Sequence, residues 1–365
     1  MNSRGTAGRL VVGLAVTLML GGCAAGASPT PEPASPTLTN MPSAAVVTQS
    51  PAPTPAQSPT PVSFGPVAVV TGMAECPGLS WKWMTDPDGT QHVRDDYHAG
   101  RCTLETDDPR VSGLRASTWN FDLWGNANAG TWALLQWGTP RLENDGGTWE
   151  GLAAGVGSEP GRGDIIVNWY TGTGGYAGLS YFELWTGNGP WKVQGQVFPG
   201  DPPPPYAEGG APTVRPEAGG PVADGAVAVV EGTGTCPKAD LGYSTTDADG
   251  VQHFRHVDFK CTMRTDDPRV TGIHTSGTFN IDWWGEADLS RGALVQWGSP
   301  RLENAGGAWE GRATGIASLP ARGDIIAIWY TGTGGYAGLS YFELWTGQQP
   351  WRIQGQIFPG VPPSH

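Results

Sequence analysis

Residues 163–187 read GDIIVNWYTGTGGYAGLSYFELWTG, and residues 323–347 read GDIIAIWYTGTGGYAGLSYFELWTG. Each copy holds two short apolar runs rich in β-branched and aromatic residues, Ile165–Tyr170 and Leu179–Trp185 in the first. Gly172-Thr173-Gly174-Gly175 separates them. Runs of this length bounded by Gly-rich turns read as strands of a hairpin, not as helices. The copies lie 160 positions apart and differ only at Val167/Ala327 and Asn168/Ile328, so the chain carries this unit twice.

Outward from the hairpin the duplication continues. Pro140-Arg141-Leu142-Glu143-Asn144 returns at 300–304, and Thr106-Asp107-Asp108-Pro109-Arg110 returns at 265–269. The repeats span 67–199 and 226–360, a period too long for a solenoid unit, so each is expected to be a domain. Trp119, Phe121 and Leu123 alternate with Asn120, Asp122 and Trp124, and Phe279, Ile281 and Trp283 alternate with Asn280, Asp282 and Trp284. That period of two is the mark of a strand. Further short strands follow at about ten-residue spacing, divided by turn signals such as Asn144-Asp145-Gly146-Gly147. The fold class is therefore all-β: two tandem antiparallel β-barrel (or sandwich) domains of about 130 residues each. Residues 200–225 form a Pro/Gly-rich linker and 361–365 a tail.

Composition agrees. Of 365 residues, 56 are Gly and 33 Pro, which excludes an all-helical protein. The net charge of -13 argues against nucleic acid as a partner, since that needs a basic footprint.

The N-terminus reads as an export signal. Arg4 and Arg9 precede the apolar stretch Leu10–Leu20, which is too short to span a bilayer. Leu20-Gly21-Gly22-Cys23 then resembles the lipobox of bacterial lipoproteins. The resemblance implies a signal peptide over 1–22, a lipid on Cys23 and attachment to the extracytoplasmic face of a membrane, with no other membrane contact. Residues 23–66, rich in Pro, Ser, Thr and Ala, read as a disordered tether.

The remaining cysteines fall in matching places, Cys76 and Cys102 in one repeat, Cys236 and Cys261 in the other. In an exported chain one pair per repeat predicts two disulfides, each closing a loop of about 25 residues and contributing roughly 3 kcal/mol. No paired His cluster accompanies them, so a zinc site is not expected.

Gly146-Gly147-Thr148-Trp149-Glu150-Gly151, a strand, and then Gly172-Thr173-Gly174-Gly175-Tyr176-Ala177-Gly178-Leu179 resemble the closing hairpins of the allene oxide cyclase/dirigent-like β-barrel superfamily. The second repeat has the turn as Gly332–Gly338. The match covers the C-terminal half of each repeat and implies an eight-stranded antiparallel barrel with a lumen. It brings no catalytic motif, so no catalytic residue is carried over.

Candidate chemistry is sparse. Asp86-Pro87-Asp88-Gly89 and Asp247-Ala248-Asp249-Gly250 begin like a calcium loop but lack its later ligands, and read as hairpin turns. Arg162-Gly163-Asp164 and Arg322-Gly323-Asp324 spell RGD, a tripeptide that also serves a strand entrance. His92 and His253 recur without a recognisable catalytic spacing and read as surface strand residues. Six Trp positions recur in both repeats, more than a small barrel's core needs. The faces Asn120/Asp122/Trp124 and Asn280/Asp282/Trp284 mix amide, carboxylate and indole. Pointing inward they would form a ligand site; pointing outward they would be solvated. The leading functional reading is binding of a small apolar or sugar-like ligand, or of envelope glycan, without a metal or cofactor. A cofactor-free isomerase or cyclase in the lumen and a structural or adhesive module are the alternatives.

Overall fold

The computed structural model describes residues 62–203 and 227–362, apart from residues 65, 80, 88, 97–100, 127–130, 160, 161, 238, 321 and 361. The signal peptide, Cys23, nearly all of the tether and most of the linker lie outside the described residues. Among the described residues no helix is long and apolar enough to cross a membrane.

The first repeat opens with β1 (Val62–Phe64), β2 (Val67–Glu75), β3 (Met84–Thr85), β4 (Gln91–Asp96) and β5 (Cys102–Thr106). After a 3-10 turn at Pro109–Val111 come β6 (Gly113–Asn126), β7 (Thr131–Asn144), β8 (Gly147–Glu159), β9 (Gly163–Gly174), β10 (Leu179–Gly187) and β11 (Trp191–Pro199). Strands β6 to β11 form a meander, β11 pairs with β2, β2 with β5, and β5 with β6. These eight strands form a ring of antiparallel pairs, a closed barrel without a free edge.

The second repeat has β12 (Ala228–Thr235), β13 (Ala239–Asp240), β14 (Tyr243–Thr246), β15 (Gln252–Thr265), β16 (Gly272–Gly285), β17 (Gly292–Asn304), β18 (Gly307–Leu319), β19 (Gly323–Gly334), β20 (Leu339–Gly347) and β21 (Trp351–Pro359). Here β12 pairs with both β21 and β15, which again closes eight strands, β12 and β15 to β21. The long β15 does the work divided between β4 and β5 in the first repeat. Both expected disulfides are formed, Cys76–Cys102 and Cys236–Cys261. Each ties the strand after the repeat's start to the strand that closes the ring.

The recurring motifs plug one end of each barrel. Asp108 caps the 3-10 turn by accepting from the Arg110 amide at 3.0 Å and pairs with the Arg110 guanidinium. Asn144 donates to the carbonyls of Arg110 and Ser112, and Trp149 Nε1 donates to the Arg110 carbonyl at 2.7 Å. Trp149 stacks on Tyr176 with centroids 5.0 Å apart. A Cβ at Gly146 would lie 2.2 Å from the Tyr176 hydroxyl, so only glycine lets the ring settle there. Asp267, Asn304, Trp309 and Tyr336 repeat the arrangement.

Strands β8 to β11 are buried on both faces. Ile166, Tyr170, Tyr181 and Trp185 point into the lumen core, while Ile165, Val167, Trp169, Phe182, Leu184 and Phe198 belong to a second apolar cluster. That cluster continues into the second repeat through Val295, Ile325, Ala327, Phe342, Leu344 and Phe358. The barrels therefore share an apolar interface made from the same face of each. Gln196 Nε2 donates to the Leu294 carbonyl, and its counterpart Gln356 donates to that of Leu134.

Candidate functional site

The odd-numbered side chains of β6, Arg115, Trp119, Phe121 and Leu123, turn inward, and the even ones turn out. Asn120, Asp122 and Trp124 thus lie outside the lumen, as do Asn280, Asp282 and Trp284. Trp124 stacks over Phe358 of the other barrel, and Trp284 packs on Phe198. Asp122 accepts from His92 Nδ1 at 2.6 Å and pairs with Arg94, while His92 Nε2 donates to Asp86 at 2.7 Å. Burial works against protonation of His92, but the bonds to Asp122 and Asp86 prevail and raise its pKa. The second repeat rebuilds the group as Asp247, His253, Asp282 and Arg255. This cluster clamps the β3–β4 hairpin to β6. Its contacts among the described residues are ion pairs and hydrogen bonds between His92, Asp86, Asp122 and Arg94.

The Asp86 segment is a tight turn, with Gly89 N donating to the Asp86 carbonyl and Asp86 N to that of Thr90. Among the described residues no group of three or more His, Cys, Asp or Glu could hold a metal ion. The RGD tripeptides are dismantled by the fold. Arg162 donates to the Gly355 carbonyl, and Arg322 donates to those of Gly195 and Val70, each reaching into the opposite barrel. Burial lowers the pKa of both guanidiniums to about 10. Asp164 and Asp324 point the other way, into their own lumens, where Gln136 and Trp191 bond the first and Gln296 and Trp351 the second.

The first barrel holds a cavity of about 300 Å³. Its walls come from just past the end of β2 (Cys76), the end of β6 (Trp119, Phe121, Leu123), the start of β7 (Trp132, Leu134, Gln136), the start of β9 (Asp164, Ile166), the end of β10 (Trp185) and the start of β11 (Trp191). In an antiparallel ring these alternating starts and ends share one rim, so the cavity opens opposite the Trp149 plug. Trp81 and Trp83 join the lining and meet Phe121 with centroids 4.4 and 6.1 Å apart.

At the inner wall stands Arg115, fully buried, its guanidinium carbon 4.1 Å from the Trp185 centroid and 5.4 Å from that of Trp119. Nε donates to the Tyr170 hydroxyl at 3.0 Å and Nη2 to Asn168 Oδ1 at 2.7 Å. The Tyr170 hydroxyl in turn donates to Glu183 at 2.7 Å. Burial raises the pKa of Glu183, against the pull of Arg115. Burial likewise raises Asp164 to about 6 despite its two hydrogen bonds.

The second lumen keeps the frame and changes the chemistry. His274 stands for Arg115 and Ile328 for Asn168. His274 contacts the Tyr330 hydroxyl, and burial pushes its pKa down to about 3. Glu343, bonded by Trp345 and Tyr330, is raised to about 7 by burial. Trp132 becomes Gly292 and Leu123 becomes Trp283, so the indole arrives from the neighbouring strand. A Cβ on Gly292 would sit 2.5 Å from that indole.

Sequence reasoning singled out neither Arg115 nor Asn168. Two signals pointed to them: Arg115 occupies an inward position of the alternating β6, and Asn168 is one of two differences between the 25-residue copies. Neither a family model, nor a curated protein, nor a solved structure matches this chain.

Proposed function

We propose that this chain is an exported lipoprotein whose first barrel binds a small, flat, largely apolar molecule in its lumen, held away from the membrane by the tether. The observation that carries the reading is the 300 Å³ cavity walled by Trp81, Trp119, Phe121, Trp132, Trp185 and Trp191. Concave sites with aromatic walls and few polar groups suit such ligands. A sugar needs a dense set of hydrogen-bond partners. Of the polar wall groups, Gln136 and Asp164 are already bonded to each other, which favours the apolar class over the sugar-like one. A glycan chain would also have to enter a lumen plugged at its far end. The two disulfides accord with an oxidising extracytoplasmic setting.

The test is titration of the full chain with 2-methylnaphthalene, read by tryptophan fluorescence. Leu123→Trp, which places an indole where repeat 2 has Trp283, should abolish the quenching. Binding that is absent in the wild type, or unchanged in the variant, removes the lumen as the site.

A cofactor-free isomerase or cyclase is the second reading, favoured by Asp164, a half-buried carboxylate in the cavity wall with its pKa raised to about 6. That value suits a general base. Both of its oxygens are occupied, and the same Asp-Gln-Trp set recurs in repeat 2, which supports a latch instead. A ligand recovered chemically altered, with the change lost in Asp164→Asn, would establish catalysis.

A further inference from the structure

We propose that the ligand of the first barrel is an aromatic acid whose carboxylate is held by Arg115 in the cavity wall, with Asn168, which accepts from Arg115 Nη2, as the second donor. This rests on the reading of the lumen as a ligand site and names the chemistry that enters it.

Around the guanidinium, Arg115 Nε has Tyr170, Arg115 Nη2 has Asn168 Oδ1, and Glu183 Oε1 has the Tyr170 hydroxyl, while Glu183 Oε2 has no partner. Arg115 Nη1 and Asn168 Nδ2 are buried without any partner. Both are donors, so the group that satisfies them is an acceptor. A buried donor left unpaired is costly, and one on a guanidinium more so. A carboxylate presents planar, charged acceptor oxygens that match a guanidinium edge. The Trp119 and Trp185 rings that pack near the guanidinium also line the cavity, so a ligand reaching Arg115 passes beside both indoles.

Repeat 2 isolates the feature. Asp164, Gln136, Trp185 and Trp191 all have identical counterparts there, whereas Arg115 and Asn168 are exchanged together for His274 and Ile328. The exchange removes both of these donors, alongside the aromatic changes Trp119/Phe279, Leu123/Trp283 and Trp132/Gly292. Neither nearby carboxylate hydrogen-bonds Arg115 Nη1: Asp164 is bonded elsewhere through both oxygens, and Glu183 faces the guanidinium at Nε, 3.9 Å away.

The full-length protein is titrated with 2-naphthoate and with its neutral counterpart 2-methylnaphthalene. The wild type should bind 2-naphthoate at least about tenfold more tightly, the scale of one charge-assisted hydrogen bond. Arg115→His with Asn168→Ile installs the pair that repeat 2 already accommodates. It should bring the ratio of the two affinities to about one, whatever the change in 2-methylnaphthalene affinity itself. Asn168→Ile alone removes one donor, keeps the guanidinium, and should reduce the preference severalfold; it serves if the double variant does not fold. Equal affinity for the two probes in the wild type, or a preference that survives these substitutions, overturns the carboxylate assignment and leaves the apolar site standing. Failure of both probes to bind overturns the site itself.

Discussion

Trp124 lies over Phe358 with ring centroids 6.4 Å apart, and their counterparts Trp284 and Phe198 meet at 6.3 Å across the same interface. The contact is reciprocal: the residue that covers in one repeat is the residue covered in the other, as in an isologous dimer. Gln196 with Leu294 and Gln356 with Leu134 obey the same symmetry. Both Phe rings are almost fully buried. Phe198→Ala and Phe358→Ala should each lower stability by about 3–5 kcal/mol, the usual cost of emptying a large core position. Chemical denaturation of the full chain checks this, and the two substitutions should cost similar amounts because their surroundings are related by the repeat.

A repeat expressed alone would expose Val167, Trp169, Phe182, Leu184 and Phe198 together. An apolar face of that extent seeks a partner, and its own symmetry supplies one. Residues 67–199 produced in an oxidising compartment should sediment as a homodimer with a β-type circular dichroism spectrum. Phe182→Asp should shift the species to monomer. A monomeric wild-type repeat would show that the face does not associate without the linker's high effective concentration.

Arg322 makes two bonds to carbonyls of the opposite barrel and Arg162 makes one. Removing Arg322 deletes two hydrogen bonds from a charged donor, each worth about 1.5–3 kcal/mol. Arg322→Ala should therefore be the more destabilising of the pair, with Arg162→Ala about half as costly, in thermal or denaturant unfolding. Neither substitution should alter adhesion to cells, since both Arg side chains are half-buried and engaged with carbonyls of the opposite barrel.

The strands, their hairpins, the duplication and the disulfide pairs were legible because each leaves a local trace: alternation, Asp-Gly and Gly-Gly turns, matched spacings. The shared face was not inferred, although its trace was present. Ile165–Tyr170 and Tyr181–Trp185 are nearly continuous apolar runs, the pattern of strands buried on both sides. The Asn120/Asp122/Trp124 face drew attention because Trp124 had no evident cover, and cover comes from Phe358, more than two hundred residues away. Arg115 went unnoticed because a charged side chain at an inward position breaks the apolar alternation; only the ring of Trp119, Trp185, Tyr170 and Asn168 makes sense of it. The partners of His92 were hidden for the same reason, since Asp122 reaches it only through the β4–β6 register.

The anchor reading rests on Leu20-Gly21-Gly22-Cys23. Cys23→Ser should move the protein from the membrane fraction to the soluble exported fraction and abolish labelling by a fatty-acid probe. Unchanged fractionation and labelling would remove the lipid from Cys23.

The two lumens should also respond differently to pH. His274 is buried and its pKa falls to about 3, below the ordinary 6.5 of the unfolded chain. Its contribution to stability is therefore complete above pH 6.5 and is lost as pH falls from there towards 3. At pH 5 the unfolded state gains about 2 kcal/mol from binding that proton. Glu343, raised to about 7, acts in the opposite sense: its contribution is complete below about 4.5 and is lost as pH rises towards 7. Asp164, raised to about 6, follows Glu343 over a lower window, from its ordinary 3.8 up to about 6. On acidification from pH 7 to pH 5 the histidine thus destabilises the fold while the two acids stabilise it. His274→Gln deletes only the first effect, so its melting temperature should gain on acidification relative to the wild type. Asp164→Asn deletes part of the second and should lose ground over the same interval. Melting curves of the three proteins at pH 5, 6 and 7 decide the matter, and parallel profiles for wild type and His274→Gln would show that the ring is not buried neutral.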